Sequence, residues 1–531
     1  MSGHIDRILE EVHRAQALFA EFSEEKVDRI IDAIHNASMP NLEKWARMAH
    51  EETGYGKTED KTVKNRFAAE DVYKYIRTMR TTGFISSNPA SGIYEVAVPM
   101  GIVAAVIPST NPTSTAIYKI MISLKARNGI VLSPHPFAKL CIKAVADALH
   151  DAAVDAGAPR GIIGIIPDPK IEDTQALMKH RLTNVILATG GLGLVRAAYS
   201  SGKPAYGVGP GNVPAFIERT ADIRKAVKDV VLGKSFDWGT ICASEQTVIV
   251  DLPVAEKARE LFKAEGCHFV SAAEKALLEE LVVDKNGNLN PKIVAKSPFV
   301  IASMGGFEVP RATKALIVPE NGVGKDHPLT LEKLSPILTY FEEDGWEAGC
   351  RRCIDILKYG GLGHTMSLHT QDMNVVREFA LKKPAFRILV NTPSTLGAIG
   401  YTTNLPPALT LGCGALGNNI TSDNITPLHL IDRKRVAIET RSLSSKEPIS
   451  MKPLVTEPLT SPAAPARGRY GAEKVSAPFK EEFNGPYDFV SEADVREAYE
   501  EKRRIKIHAK TIITPSAKEL GENLNIFEKM G

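Results

Sequence analysis

Cys242 is the residue on which chemistry is most readily built. It sits in the run Ser235-Phe236-Asp237-Trp238-Gly239-Thr240-Ile241-Cys242-Ala243-Ser244-Glu245-Gln246. Small residues surround the thiol, and the apolar, β-branched segment 247–250 follows it. That is the setting of a nucleophile on a turn leading into a buried strand. A cysteine thiolate can attack a carbonyl carbon and leave again, because it is strongly nucleophilic even at low population.

An oxyanion formed by such an attack needs a donor. Asn111, in Pro108-Ser109-Thr110-Asn111-Pro112, lies where an apolar strand gives way to a helix, the edge at which α/β enzymes place ligands. Its amide can donate to an oxyanion. Asn before Pro is also ordinary turn chemistry, the commoner explanation on these residues alone. Thr189-Gly190-Gly191 follows a strand and opens a helix, so its backbone amides could meet a pyrophosphate. Gly191-x-Gly193 does not continue to GxGxxG, since Arg196 holds the last place, and neither a P-loop nor HExxH is present. Gly207-Val208-Gly209-Pro210-Gly211-Asn212 carries no acid or base and offers close backbone approach, or simply a loop. Cys350-x-x-Cys353 has no second pair and reads as two helix residues rather than a metal site. Cys413 reads as structural, and His364 more readily as a surface-loop histidine than as a site residue.

The elements that must position these residues follow from periodicity. Residues 4–83 are helical by spacing, with Ile5, Ile8, Leu9, Val12, Ala15, Leu18 and Phe19 on one stripe and Val27, Ile30, Ile31 and Ile34 on the next. Apolar runs at 101–107, 130–132, 161–166 and 185–188 then alternate with helical segments, the pattern of a parallel, doubly wound sheet. A second α/β region spans 210–425, with strands at 213–217, 247–250 and 337–341 and helices at 221–232 and 254–265. A strand at 428–439 closes the globular part. Residues 449–486 are rich in Pro, Ala, Ser and Gly and read as a flexible linker. Two helical patterns follow it. Ser491-Glu492-Ala493-Asp494 starts one that carries Val495, Ala498 and Tyr499, and Thr514-Pro515 starts the other, through about Leu520. Capped ends and apolar spacing favour a docking element over a merely solubilising tail.

At 531 residues the chain exceeds one hydrophobic core. Its 44% hydrophobic and 24% charged residues are those of a globular protein, and a net charge of +2 gives no reason to expect a nucleic-acid or membrane partner. The six cysteines are scattered and fit a reduced, intracellular compartment. Residues 1–11 lack the apolar core of a signal peptide, and no run is long enough for a membrane span.

The runs at 108–113, 188–191, 207–212, 241–245 and Thr410-Leu411-Gly412-Cys413-Gly414 occur in an order that resembles the aldehyde dehydrogenase superfamily, over residues 1 to about 448. The resemblance is to its coenzyme A-acylating branch, which includes propanediol- and ethanolamine-utilisation enzymes. It implies an α/β, aldehyde dehydrogenase-like fold. A Rossmann-like cofactor domain would span 1–209, with oligomerisation strands near 86–98, and a catalytic domain 210–426. A closing strand at 427–448, the linker and a helical tail at 487–531 of the kind that docks enzymes in bacterial microcompartments would follow. It implies that Cys242 is the nucleophile and Asn111, with the Cys242 N–H, the oxyanion hole. Ile107, Pro108, Ser109, Ser133, His135, Pro136, Thr189, Gly190, Gly191, Gly207 and Glu332 would form the cofactor site, Glu332 holding the nicotinamide ribose. No metal is implied.

Two departures matter. Hydrolytic members keep a water-activating glutamate at the position of Gly207, and a ribose-binding lysine where this chain has Ser133-Pro134-His135-Pro136. The resemblance therefore implies a short aldehyde such as acetaldehyde or propionaldehyde, NAD (or NADP) and coenzyme A as reactants. It also implies a homodimer or homotetramer, shell proteins as partners and a cytoplasmic, microcompartment location. A hydrolytic dehydrogenase, an acyl-phosphate reductase and a shell-associated scaffold without activity are the competing readings.

Overall fold

The computed structural model describes residues 3–88, 91–441, 443, 487–490, 494, 495, 498, 499, 504–524 and 526–529. The chain divides into two units, residues 1–466 and 467–531.

The first unit opens with helices Gly3–Phe19, Glu24–Ser38, Leu42–Thr53 and Thr58–Arg66, the last running through a π-helical turn at Phe67–Asp71 into Val72–Ile76. The first helix buries Ile5, Leu9, Val12, Ala15 and Phe19 of the stripe its spacing predicts, whereas Ile8 is half-buried and Leu18 faces outward, exposed. Helix ends at residue 76 rather than 83, because β1 (Gly83–Asn88) takes over and pairs antiparallel with β2 (Ile93–Pro99).

A five-stranded sheet follows, built from β3 (Ile102–Ile107), β4 (Gly129–Pro134), β5 (Ile163–Ile165), β6 (Val185–Thr189) and β7 (Ala205–Val208). Its order is β5-β4-β3-β6-β7 and all pairs are parallel. The winding reverses between β3 and β6, so a crevice opens at their carboxyl ends. Every residue of β3 is buried, as in a strand covered on both faces. Each of its branched side chains contributes about 1.5–3 kcal/mol by burial. The helix Pro112–Lys125, started by a proline at its first position, packs on this sheet with all its residues buried. Lys119 on that helix spends its ammonium group on the carbonyls of Val106 and Leu187, at 2.8 Å each, and so ties β3 to β6 beside the crevice.

The second sheet has seven parallel strands: β8 (Val213–Ile217), β9 (Glu245–Asp251), β10 (Cys267–Phe269), β11 (Ala315–Pro319), β12 (Ile337–Glu343), β13 (Gly363–His369) and β14 (Ala385–Val390). The order is β10-β11-β12-β9-β8-β13-β14. β15 (Ile431–Ala437) returns to pair antiparallel with β2 and completes the small sheet β1-β2-β15.

The second unit departs from a purely helical tail. Its described residues include strands β16 (Tyr487–Val490), β17 (Ile505–Ile513) and β18 (Phe527–Lys529), paired in parallel in that order. The helix Pro515–Asn523 starts as its sequence predicts, with Thr514 Oγ1 accepting from the Ala517 N–H at 3.3 Å. Residues 494, 495, 498 and 499 are helical, whereas the capping residue Ser491 and the linker at 449–486 lie outside the described residues. Val490, Val495, Ala498, Ile505, Ala517 and Ile526 form a buried core within this unit. Among the described residues, no helix is long and apolar enough to cross a membrane.

Candidate active site

The nucleophile turn is short and strained. A 3-10 turn at Phe236–Gly239 carries Asp237 (φ 46°) and Trp238 (φ 54°) in the left-handed region, unusual for non-glycine residues. Cys242 follows, half-buried, just before β9. It lines a cavity of about 880 Å³ together with Asn111 from the end of β3 and Thr189, Gly190, Gly191 and Gly193 from the end of β6. The crevice of the first sheet and the nucleophile turn of the second thus share one space. Ile107, Pro108, Ser109, His135, Pro136 and Glu332 line it too. Ser133 and Gly207 do not. The Ser133 hydroxyl is buried against Thr174 Oγ1 at 2.8 Å. Gly207 sits in β7, with its N–H and C=O both taken by the Tyr199 hydroxyl at 3.1 and 3.0 Å.

The cradle at Thr189 fits an anionic cofactor. Thr189 Oγ1 is buried without a hydrogen-bond partner, and a Cβ added at Gly191 or Gly193 would meet only open space. The following helix, Leu192–Tyr199, presents its first amides there.

Electrostatics set the resting state. Desolvation pushes the Cys242 thiol up to about 12, Glu332 and Cys413 add to the rise, and Arg387 opposes it. The thiol is therefore protonated at neutral pH until a base takes its proton. Glu332 is the only acid among the described residues lining the cavity. Burial raises its carboxyl to about 7, against the Gly211 N–H, which it accepts at 2.7 Å, and the charges of Lys234 and Lys333.

The Gly209–Asn212 loop presses on this centre. A Cβ on Gly211 would lie 2.1 Å from the Cys242 carbonyl oxygen and 3.2 Å from the His364 ring. His364 is not a surface-loop residue. It is fully buried in β13, with Nδ1 3.0 Å from Thr365 Oγ1 and Nε2 unpartnered. Burial, aided by Arg387, lowers its pKa to about 3, so the ring is neutral. Arg387 itself is a buried cation held by Asn424 Oδ1 at 2.7 Å and the carbonyls of Gly412 and His364 at 2.7 and 3.1 Å. Cys413 is buried beside this arginine. Cys350 and Cys353 lie on the buried face of the helix Gly345–Gly360.

Behind Asn111 stands a group that motif reading missed. Lys64 Nζ donates to Asn111 Oδ1 at 2.6 Å and to Asp237, and Lys61 Nζ donates to Asp237 at 3.0 Å. Both lysines and Asp237 are at most 2% exposed. The sequence holds only part of this signal, two lysines three apart on one helix face; their acid partner in the nucleophile turn is 173 positions away from Lys64.

Fold and site together define the class, and the chain belongs to the aldehyde dehydrogenase family, whose pattern matches residues 2–269. Within it, the chain is 44% identical over 440 residues to the bifunctional aldehyde-alcohol dehydrogenase AdhE of Escherichia coli K12, covering 82% of this chain and 49% of that protein. It thus spans about half the length of that relative. It also resembles the crystal structure of an acetylating aldehyde dehydrogenase from Geobacillus thermoglucosidasius, at 49% identity and a TM-score of 0.82, over 84% of this chain and 98% of that one. A propionaldehyde dehydrogenase from the fucose-utilisation bacterial microcompartment of Clostridium phytofermentans superposes with a TM-score of 0.74 at 26% identity, over 82% and 98% of the two chains.

Proposed function

We propose that this chain is a coenzyme A-acylating aldehyde dehydrogenase that oxidises a short aldehyde to its acyl-CoA through a thioester on Cys242. The observation that carries this reading is Cys242 and Asn111 sharing one cavity with the Thr189–Gly193 cradle, while Gly207, at the position where the resemblance puts the glutamate of hydrolytic members, carries no acid and is tightly packed against Val195 and Tyr199.

Glu332, near neutrality and lining the same cavity, is the carboxylate available to receive the Cys242 proton, beside the nicotinamide-ribose contact expected of it. The thiolate adds to the aldehyde, and the oxyanion is held by the Cys242 N–H and Asn111 Nδ2. That amide rests on Thr110 Oγ1 and the Thr240 carbonyl at 3.1 and 3.3 Å, contacts weak enough to exchange. Thr189, Gly190 and Gly191 hold a nicotinamide dinucleotide, which supplies the hydride acceptor when bound. Thioester cleavage then decides the product. Water, with a pKa near 15.7, needs a base, whereas a thiol of pKa about 8.5 already supplies some thiolate at neutral pH.

Glu332 favours one alternative, a hydrolytic enzyme in which this carboxylate activates water. The test is NADH formation from acetaldehyde or propionaldehyde with and without coenzyme A. Dependence on coenzyme A supports the acylating reading, and equal rates in both arms rule it out.

The tail completes the proposal. Its Val495 and Ala498 are buried in its own core, which leaves exposed Tyr499 and Ile512 as docking side chains for microcompartment shell proteins. Deleting residues 457–531 is expected to leave turnover intact and abolish co-assembly with shell proteins. A truncated enzyme that still co-purifies with the shell refutes that role. Pairing of subunits through β2 and β15, as a dimer or tetramer, is part of the same proposal.

A further inference from the structure

We propose that Lys64 is a positioning residue that locks the Asn111 side chain with its N–H turned toward the oxygen of the reacting carbonyl and strengthens it as a donor. The inference rests on the functional reading above, which makes Asn111 an oxyanion donor.

An ammonium group has only donors. With Lys64 Nζ 2.6 Å away, the atom of Asn111 facing it must be Oδ1. The amide cannot flip without setting NH₂ against NH₃⁺, so Nδ2 stays on the Thr240 side, toward the nucleophile turn. A hydrogen bond from a cation to an amide oxygen also polarises the amide and makes its N–H a better donor.

Lys64 is itself held. Asp237 accepts from Lys64, from Lys61 at 3.0 Å, from the Lys57 N–H at 2.6 Å and from Thr240 Oγ1 at 3.0 Å. Lys64 also reaches Thr240 Oγ1 at 3.3 Å. The Asp237 carboxylate fits because Gly56 has no side chain: a Cβ there would lie 1.9 Å from Asp237 Oδ1. Asp60 and Lys57 pair at the rim at 2.6 Å, so the buried trio Lys61, Lys64 and Asp237 keeps one positive charge behind Asn111. That charge lies where an oxyanion on the far side of the amide is stabilised. The left-handed backbone at Asp237 and Trp238 delivers the carboxylate to this position. The strained turn therefore serves the donor as well as the nucleophile.

Protonation keeps the lock. The charged groups facing Lys64 are Asp237 from the turn and Lys61 and Asp60 on its own helix. Desolvation and Lys61 lower its pKa to about 8, against Asp237 and Asp60. As pH rises through that value the amine gains a lone pair, and the restriction on the Asn111 amide disappears.

The test is a double-mutant cycle of Lys64→Met and Asn111→Ala, read on two reactions. One is NADH formation from propionaldehyde, NAD and coenzyme A. The other is p-nitrophenol release from p-nitrophenyl acetate, which acylates a thiol through an oxyanion and uses neither NAD nor coenzyme A. Each single variant is expected to lower kcat about 100-fold in both reactions, the usual loss for an oxyanion donor. The double variant should fall within about threefold of Asn111→Ala, with KM for NAD unchanged in Lys64→Met. Losses that multiply, or a Lys64→Met kcat within about threefold of the parent, overturn the inference. If the methionine variant does not fold, Lys64→Arg carries the test. A guanidinium keeps its proton, so the parent is expected to lose kcat above pH 8 and the arginine variant is not. An identical alkaline limb in both overturns it. A parent that forms no NADH but whose ester cleavage follows the cycle refutes the dehydrogenase reading and leaves the role of Lys64 standing.

Discussion

Replacing Gly207 by glutamate should not turn this protein into a hydrolase, although the resemblance puts the water-activating acid of hydrolytic members at that position. A Cβ on Gly207 would lie 3.0 Å from Val195 Cγ1 and 3.2 Å from the Tyr199 ring and hydroxyl. Both neighbours must then give by a few tenths of an ångström, and Tyr199 is pinned by its two hydrogen bonds to Gly207. Overpacking of this kind costs about 1–3 kcal/mol, and each disturbed hydrogen bond about 1 kcal/mol more. The expected loss is about 3 kcal/mol, with the new carboxylate pressed against Val195 and Tyr199 rather than the cavity that holds Cys242. Gly207→Ala should lower the denaturant midpoint nearly as much, because the clash begins at Cβ. The assay is NADH formation by Gly207→Glu without coenzyme A, set beside the unfolding midpoint. A coenzyme A-independent rate that rises about 100-fold with an unchanged midpoint would refute the reasoning.

Glu332→Gln should shift Cys242 alkylation by iodoacetamide to lower pH, because the glutamate charge raises the thiol's pKa; an unchanged profile rejects that coupling. The same variant should be more stable than the parent at pH 8 and no more stable at pH 5. The folded protein raises the Glu332 pKa from 4.5 to about 7, so it binds the proton more tightly than the unfolded chain and loses stability as pH rises through that window. The full shift corresponds to about 3 kcal/mol and the partial exposure of Glu332 lowers it, so about 1–2 kcal/mol is expected from denaturant curves. With aldehyde and NAD but no coenzyme A, the protein should gain the mass of one acyl group on the peptide carrying Cys242 and lose it when coenzyme A is added. An adduct on Cys413 instead, or none, rejects Cys242 as the nucleophile.

The site was legible in the sequence where chemistry and local structure coincide. Cys242, Asn111 and the Thr189–Gly191 turn each stand at a strand end, which apolar runs reveal, and the structure gathers them round one cavity. The Lys64–Asp237 contact joins residues 173 positions apart, so no window of sequence contains it. His364 failed for a related reason: its glycine-rich surroundings read as a loop, yet those glycines allow β13 to pack against the Gly414 region and Asn212. In the second sheet β10 is three residues long and β13 mixes polar with apolar residues, so buried pairing rather than pattern makes them strands. The tail offered a usable signal in the alternation of Ile505 and Ile507 in β17, which a helical reading of its flanks leaves out.

The contact at Gly211 has a consequence for how the molecule tolerates change. Its bare α-carbon is what lets the loop lie flush on the main chain that carries the sulfur, and even a methyl group would collide with the Cys242 carbonyl. Loop and nucleophile are therefore one mechanical part: nothing can be added to the first without displacing the second. An engineer wishing to reshape the cavity must leave this position bare and work from other lining residues, such as Ile399, Leu409 and Leu411.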